Sequence, residues 1–295
     1  MVKVRAFLTL IRLPNLLFIL LAQWLCYFFI LSPGRGLHHD DVVVVGLLTL
    51  STFLIGAAGY MINDYFDIRI DTINKPYRVT VGKYFQKRTV IILHIVLNAT
   101  ALVLSLIAAR EQWIGRRVLL QLISILLLLV YSSTFKRKLI VGNLVISILS
   151  ALSLFVLFWY LPSGHLVSAC VPTLCLYMLF AFLITLAREV VKDMEDIRGD
   201  QSEHCNTIPL QWGINRAKGV VNATVILLIL VVCIFFYTTI QLSTTVWLYW
   251  IVTVVIPLFF TLYKLKRAVQ SVQFHQVSSW LKWITLAGIA SMCLL

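Results

Sequence analysis

Residues 63–78 of the chain read Asn-Asp-Tyr-Phe-Asp-Ile-Arg-Ile-Asp-Thr-Ile-Asn-Lys-Pro-Tyr-Arg. Within this stretch Asp64, Asp67 and Asp71 are three and four residues apart, a spacing that places side chains on one face of a helix. Asn63 adds an amide oxygen four residues before Asp67. Carboxylates on one face repel each other unless a cation lies among them, so the stretch predicts a cation site.

The same acidic pattern recurs in the second half of the chain. Residues 193–200 read Asp-Met-Glu-Asp-Ile-Arg-Gly-Asp, so Asp193, Asp196 and Asp200 repeat the spacing of the first motif. The chain has only 12 Asp and Glu residues, which makes two matched triads hard to explain as solvated loops with local salt bridges. Two such motifs facing each other would offer the carboxylate oxygens that Mg²⁺ prefers when it also binds a substrate phosphate.

The composition indicates an integral membrane protein. Of the 295 residues, 60% are hydrophobic and 13% are charged, about half of the charged share of a soluble domain. Runs of about twenty apolar residues predict roughly nine transmembrane helices. The predicted spans are residues 13–31, 42–62, 90–109, 118–135, 139–161, 167–187, 220–240, 246–263 and 277–295. We therefore expect an all-α membrane protein in which residues 1–295 form a single polytopic domain.

The positive charges predict the orientation in the membrane. With the N-terminus in the cytoplasm, 20 of the 25 Lys and Arg residues lie in inner segments, 4 lie in outer segments, and Lys282 lies within the last span. This excess predicts a cytoplasmic N-terminus and cytoplasmic aspartate-rich loops, in what we expect to be the cell membrane of a prokaryote. Nucleic-acid binding would require a basic face on a soluble domain, and no such domain is predicted.

Basic side chains accompany the two motifs. They are Arg69, Lys75, Arg78, Lys136, Lys138, Arg188, Lys192 and Arg198. Carboxylates, a divalent cation and basic groups together suit a diphosphate leaving group, because negative charge develops on its oxygens as the bond to carbon breaks. A membrane transporter is the main rival class, but no acidic residue lies in the middle of a predicted span, which counts against ion-coupled transport.

Four segments resemble motifs of the UbiA superfamily of intramembrane prenyltransferases: its two aspartate motifs, its Tyr-Ser…Lys element and the Arg-x-x-Asn start of its first span. These segments are residues 63–78, residues 192–200, Tyr131-Ser132 with Lys136, and Arg12-Leu-Pro-Asn15. The resemblance implies a bundle of about nine transmembrane helices around a cavity open to lipid. It also implies Mg²⁺-dependent transfer of a prenyl group from an allylic diphosphate donor to a membrane-associated acceptor.

The resemblance further implies roles for individual residues. The implied Mg²⁺ ligands are Asn63, Asp64, Asp67, Asp71, Asp193, Asp196 and Asp200. The implied catalytic residues are Asp67, Asp71, Asp196, Asp200 and Lys136. The implied substrate-binding residues are Arg12, Asn15, Asn63, Arg78, Tyr131, Lys192 and Arg198. Lys136 and Arg78 would contact the diphosphate, whereas Asn15 and Tyr131 would line the cavity near the reacting carbon. No obligatory protein partner is implied.

The acceptor is less well defined by the sequence. Asn74-Lys75-Pro76 resembles the branch that makes digeranylgeranylglyceryl phosphate, and also chlorophyll- and tocopherol-pathway enzymes. We expect transfer of a geranylgeranyl group to geranylgeranylglyceryl phosphate or a similar phospholipid precursor. The phosphate of that acceptor would dock on the surplus basic residues of the following loop, which are Lys83, Lys87 and Arg88. The alternatives are prenylation of an aromatic quinone, chlorophyll or tocopherol precursor, and a transporter or binder of prenyl diphosphates.

Overall fold

The computed structural model describes residues 2–33, 39–109, 114–161, 166, 170–238 and 243–295, and the regular elements in these ranges are helices. In chain order the α-helices are α1 (Val2–Leu10), α2 (Leu13–Leu25), α3 (His39–Phe66), α4 (Ile68–Asn74), α5 (Lys87–Ala109), α6 (Ile114–Ser133), α7 (Val141–Tyr160), α8 (Cys170–Glu195), α9 (Ile197–Ser202), α10 (Ile208–Trp212), α11 (Ile214–Thr238), α12 (Thr244–Trp250), α13 (Ile256–Arg267) and α14 (Ser271–Ala290). This architecture confirms the predicted all-α fold.

Nine helical segments of the described chain are long and apolar enough to cross a membrane, as the sequence predicted. They are Leu13–Leu31, His39–Phe66, Lys87–Ala109, Gly115–Ser133, Val141–Tyr160, Cys170–Glu195, Ile214–Tyr237, Thr244–Arg267 and Ser271–Leu294. Each corresponds to one predicted span, although positions 167 and 240, where two predicted spans begin or end, lie outside the described residues.

The second and sixth spans continue further than their apolar sequence predicts. They were expected to end at positions 62 and 187, but α3 continues to Phe66 and α8 continues to Glu195. The extra turns carry polar residues of the two motifs. These residues line an internal cavity, so they can remain helical inside the bundle. A prediction from hydropathy alone places the end of a helix at its last apolar residue, and it therefore placed the ends of these two helices too early.

Both motifs interrupt their helices at the middle aspartate. Asp67 separates α3 from α4 with φ −92° and ψ 6°, and Asp196 separates α8 from α9 with φ −99° and ψ 11°. The expectation of one continuous helix through the first triad is therefore wrong, because the backbone at Asp67 departs from helical geometry, but all three aspartates face the same cavity. The nearly equal angles show that the sequence repeat is also a structural repeat.

The short helices α4 and α9 pack against each other and join the two motifs. The Gly199 amide donates a hydrogen bond to Asn74 Oδ1 (2.9 Å), and Asn74 Nδ2 donates to the backbone oxygen of Asp196 (2.9 Å). A Cβ atom at Gly199 would lie 2.4 Å from Asn74 Nδ2 and 2.8 Å from the Ile70 backbone oxygen. Only glycine at position 199 permits this close approach of the two helices.

We expect Gly199→Ala to weaken both folding and catalysis, because the added methyl group forces α4 and α9 apart. The expected cost is about 1–3 kcal/mol of folding free energy, as for other overpacked sites. We expect kcat/KM to fall roughly tenfold, since the two motifs would lose their relative placement. Melting temperature and steady-state turnover are the measurements. Gly219→Ala on α11 is the matched control, because a Cβ there meets no atom within 4 Å. Wild-type values for both measurements in Gly199→Ala would contradict the joining role.

Candidate active site

A cavity of about 950 Å³ lies between the helices and contains both aspartate motifs. Its walls come from α1, α2, α3, α4, α6, α7, α8, α9 and α14. One part is charged and includes the motifs, whereas the other is apolar, with side chains such as Ile55, Leu149 and Phe180. The volume lies within the range of small-molecule sites, and the combination suits a ligand with an anionic head and a hydrocarbon tail.

In the first motif, two of the three carboxylates pair with basic side chains, and one of these also accepts a hydrogen bond from an amide. Arg12 Nη2 donates to Asp64 Oδ1 (2.9 Å), and Asn63 Nδ2 donates to Asp67 Oδ2 (2.7 Å). Lys136 Nζ donates to the same Asp67 oxygen. For the Asp71 carboxyl, no hydrogen bond or ion pair with any described residue is found. The first motif therefore has one free carboxyl group.

The second motif is joined to the first by Lys75, which follows the first motif in sequence and contacts carboxylates of the second. Lys75 Nζ donates to both carboxylate oxygens of Asp196 (2.7 and 2.9 Å) and lies 3.0 Å from Glu195 Oε1. Asn143 Nδ2 supports Asp193 through a 2.8 Å hydrogen bond. The Asp200 carboxyl, like that of Asp71, makes no hydrogen bond or ion pair within the described ranges. Each half of the site thus contributes one free carboxyl.

The free carboxyls have raised pKa values. Burial raises the pKa of Asp71 to about 6, and repulsion from Asp67 and Asp64 adds to the effect. Burial also raises the pKa of Asp200 to about 7, although the charge of Lys136 opposes it. Burial lowers the pKa of Lys136, but the combined effect of Asp67, Tyr131 and Asp200 outweighs burial, so the net shift is upward. In the metal-free protein, Asp71 and Asp200 therefore favour their protonated forms more than ordinary carboxyls do, and Lys136 stays charged.

The donor atoms fit Mg²⁺, but they do not form a preassembled metal cage. Among the described residues, no group of three or more His, Cys, Asp or Glu side chains is arranged to hold a metal ion. The reason is that Lys75 and Lys136 contact the carboxylates of Asp196 and Asp67 themselves. The free carboxyls and Asn63 Oδ1, which is buried without a hydrogen-bond partner, supply the hard oxygen ligands that Mg²⁺ requires. Coordination by Asp67 and Asp196 as well would require the two lysines to move away from these carboxylates.

All of the predicted site residues except Arg198 line the cavity. Arg198 is exposed, because it lies two residues from both Asp196 and Asp200 and so points to the opposite side of α9. The basic residues predicted to dock an acceptor phosphate, Lys83 and Lys87 with their neighbour Arg88, are exposed as well and do not line the cavity. That docking hypothesis is not supported by the structure.

Several polar residues of the cavity were missed as site residues by the sequence analysis. They are Tyr60, Glu189, His275 and Lys282. Arg12 lies 4.9 Å from the centre of the Tyr60 ring, and Asn15 Nδ2 donates to the Tyr60 hydroxyl at 3.4 Å. Glu189 and Lys282 could have been found as charged residues within spanning helices, since such residues usually mark functional sites in membranes. Tyr60 offered no signal beyond its aromatic side chain.

Comparison with known proteins identifies related membrane enzymes. The sequence profile of the UbiA prenyltransferase family matches residues 16–286. The digeranylgeranylglyceryl phosphate synthase of Saccharolobus solfataricus is 30% identical over 260 residues, which cover 84% of this chain and 83% of that protein. The enzyme of the same name from Methanosphaera stadtmanae is 29% identical over 264 residues, with 88% and 89% of the two chains covered.

Solved structures share the same fold. A digeranylgeranylglyceryl phosphate synthase structure superposes with a TM-score of 0.68 at 24% identity, and the match covers 100% of both chains. A UbiA homologue from Archaeoglobus fulgidus bound to GPP and Mg²⁺ gives a TM-score of 0.67 at 16% identity, covering 98% of this chain and 99% of the other. At these identities the likeness establishes the arrangement of the helices.

Proposed function

Because the chain belongs to the UbiA prenyltransferase family, we propose that it transfers a geranylgeranyl group from geranylgeranyl diphosphate to geranylgeranylglyceryl phosphate. The family membership makes the chain an integral membrane prenyltransferase. Relatives that match most of the chain are named digeranylgeranylglyceryl phosphate synthase, which supports this choice of acceptor. The observation that carries the proposal is the single cavity that joins two acidic motifs to an apolar compartment.

We further propose Mg²⁺ as the cofactor. The related protein from Archaeoglobus fulgidus binds Mg²⁺ together with a prenyl diphosphate, and the oxygen donors of the two motifs suit the same ion. Asn63, the first triad and the second triad would hold it. When bound, Mg²⁺ would stabilise the negative charge that develops on the leaving diphosphate.

The protein's own residues prepare the reaction. Lys75 and Lys136 keep the motif carboxylates neutralised before the substrate arrives, and both can then donate hydrogen bonds to diphosphate oxygens. In the proposed step the bond between the allylic carbon and the diphosphate breaks. A new bond forms between that carbon and the acceptor hydroxyl oxygen, whose proton is released. The apolar compartment would hold the prenyl chain and exclude water, which would otherwise capture the reactive carbon.

A competition assay tests the acceptor. Geranylgeranyl diphosphate would be the donor, and geranylgeranylglyceryl phosphate and a hydroxylated aromatic acid would be offered together in equal amounts. We expect the glycerol phosphate lipid to receive the prenyl group. Preferential prenylation of the aromatic acid would contradict the proposal and favour the quinone-type alternative. Uptake of the diphosphate into vesicles without turnover would favour the transporter alternative.

The charge distribution supports a cytoplasmic location for the N-terminus and for both motifs. The cavity takes residues from Arg5 to Met292, which supports a single domain. Single cysteines introduced at the exposed positions Gln201 and Ser243 in a cysteine-free variant would test the orientation. We expect an impermeant reagent added outside cells to label the cysteine at position 243 and not the one at 201, and the opposite pattern would refute the orientation.

A further inference from the structure

Two basic residues of the cavity lie within membrane-spanning helices, away from the aspartate motifs. Arg188 lies on α8 and Lys282 lies on α14, and both side chains are partly buried in the cavity wall. A charged residue in a membrane span is costly, and it usually faces a polar cavity where it serves a function. These two residues have no role in the family resemblance described above.

Neither residue forms an ion pair with a carboxylate of the described chain, unlike four other basic residues of the cavity, although Glu189, which pairs with Lys192, interacts electrostatically with Arg188. Arg12 pairs with Asp64, Lys75 with Asp196, Lys136 with Asp67, and Lys192 with Glu189. By contrast, Arg188 Nε is buried and makes no hydrogen bond. Lys282 Nζ lies 5.2 Å from the centre of the Phe18 ring and makes no ion pair with any described side chain. A buried hydrogen-bond donor without an acceptor lowers stability, and a bound ligand that accepts the hydrogen bond would remove this cost.

The two residues face the same cavity from neighbouring helices. Helices α8 and α14 pack against each other, and Arg188, Lys282 and Arg78 all line the cavity. Arg78 is exposed at the cavity wall, and its guanidinium lies 5.8 Å from the centre of the Tyr77 ring. Three cations that line one cavity and form no ion pair with a described carboxylate create a region of positive potential, which an anion would relieve.

The position of this region differs from that of the motifs. Arg188 lies five residues before Asp193 and seven before Glu195 on α8, which places it about 7 to 10 Å further along the helix toward the apolar compartment. Lys282 lies seven residues after His275 on α14, and His275 Nδ1 lies 3.1 Å from Glu195 Oε1. The same rise per residue therefore places Lys282 about 10 Å deeper as well. Both cations are displaced from the level of the motif carboxylates toward the prenyl-chain side.

We propose that Arg188 and Lys282, assisted by Arg78, bind the phosphate group of the acceptor lipid. The proposal rests on the proposed function. In geranylgeranylglyceryl phosphate, the three glycerol carbons carry the phosphate, the prenyl ether and the reacting hydroxyl. The acceptor phosphate therefore lies one or two carbons from the attacking oxygen and must sit beside the reacting carbon of the donor.

The donor diphosphate does not need these cations. At the level of the motifs it meets Lys75, Lys136 and the proposed metal ion. Its reacting carbon is the first atom of the chain that runs into the apolar compartment, so a second phosphate next to that carbon belongs on the apolar side of the motifs. Arg188 and Lys282 are the cavity cations on that side. A guanidinium can bind two phosphate oxygens at once, and an ammonium adds a point charge.

The test separates acceptor binding from donor binding. Arg188→Gln and Lys282→Gln should each raise the acceptor KM roughly ten- to hundredfold, the range expected for loss of a charge-assisted hydrogen bond. The donor KM and kcat should change less than about threefold. Lys83→Gln is the matched control, since Lys83 is an exposed lysine outside the cavity and its replacement should leave both KM values unchanged.

An acceptor without the phosphate tests whether the two cations act on the phosphate itself. Geranylgeranylglycerol should be a poor substrate for the wild type, and Arg188→Gln should cause no further loss with it. Arg188→Lys, which keeps the charge, should restore part of the acceptor affinity and report that the fold is intact. Equal losses with the phosphorylated and the phosphate-free acceptor, or a matching rise of the donor KM, would overturn the proposal. Failure of the wild type to use the glycerol phosphate lipid would instead refute the proposed function together with its subsite.

Discussion

Replacement of Asp67 or Asp196 by alanine should abolish prenyl transfer while the protein stays folded. Each residue is the middle aspartate of its motif, each lies at the break between two helices, and each contacts a lysine of the cavity. Either substitution removes a proposed metal ligand and leaves Lys136 or Lys75 without its main partner. We expect kcat/KM to fall at least about a thousandfold, which corresponds to roughly 4 kcal/mol of transition-state stabilisation.

The controls separate catalysis from folding. Asp67→Asn keeps the size of the side chain and part of its hydrogen bonding, so it should lose activity with a smaller change of melting temperature than Asp67→Ala. Glu203→Ala removes an acidic residue of the same region that pairs with Arg69 at 3.7 Å and does not line the cavity, and it should keep activity within about threefold. Activity within about tenfold of wild type in Asp67→Ala or Asp196→Ala would rule out a two-motif site, because that loss is only about 1.4 kcal/mol.

Removal of divalent cations should abolish turnover and leave the fold intact. The carboxylates of Asp64, Asp67 and Asp196 are already neutralised by Arg12, Lys136 and Lys75, so the described structure needs no metal to offset their repulsion. Catalysis differs, because a diphosphate leaving group needs a stronger positive charge than these paired side chains provide. We expect a chelator to eliminate product formation, and Mg²⁺ to restore it.

The measurement combines diphosphate release with a melting curve on the same sample. The melting temperature of the chelated protein should stay within a few degrees of that of the untreated protein, because the ion pairs of the motifs persist. Unfolding on chelation would show that the metal is structural, and continued turnover would show that the lysines suffice. Neither outcome agrees with the site described here.

Much of the fold could be predicted from the sequence because the membrane imposes simple rules. Nine apolar runs predicted the nine membrane-spanning segments found in the described residues, and the scarcity of acidic residues made the two motifs conspicuous. The break at Asp67 could not be predicted, because the three- and four-residue spacing continues unchanged across it. The pairing of Lys75 with Asp196 could not be predicted from the sequence either, because it joins residues 121 positions apart.

Some site residues could be recognised from their sequence spacing, whereas the position of others depends on how the helices pack. The six aspartates, which were recognised by their spacing, line the cavity, whereas Arg198, which the resemblance assigned to substrate binding, is exposed outside it. Arg188 was noted only as a nearby charge. Its significance depends on a buried Nε that makes no hydrogen bond in the described structure, and a sequence does not show which polar groups are paired.

The long-range pairing of the motifs has a consequence for how the protein is made. A ribosome produces the first motif well before its partners, since Lys136 follows Asp67 by 69 residues and Asp196 follows Lys75 by 121. At bacterial or eukaryotic synthesis speeds, the second interval lasts on the order of ten seconds. Until those partners are synthesised, Asp67 lacks Lys136 and Lys75 lacks Asp196, so two charged side chains of this segment have not yet met their ion-pair partners of the folded protein. A chaperone or insertion factor that shields this segment would therefore act at a defined stage, after the second span has entered the membrane and before the sixth is complete.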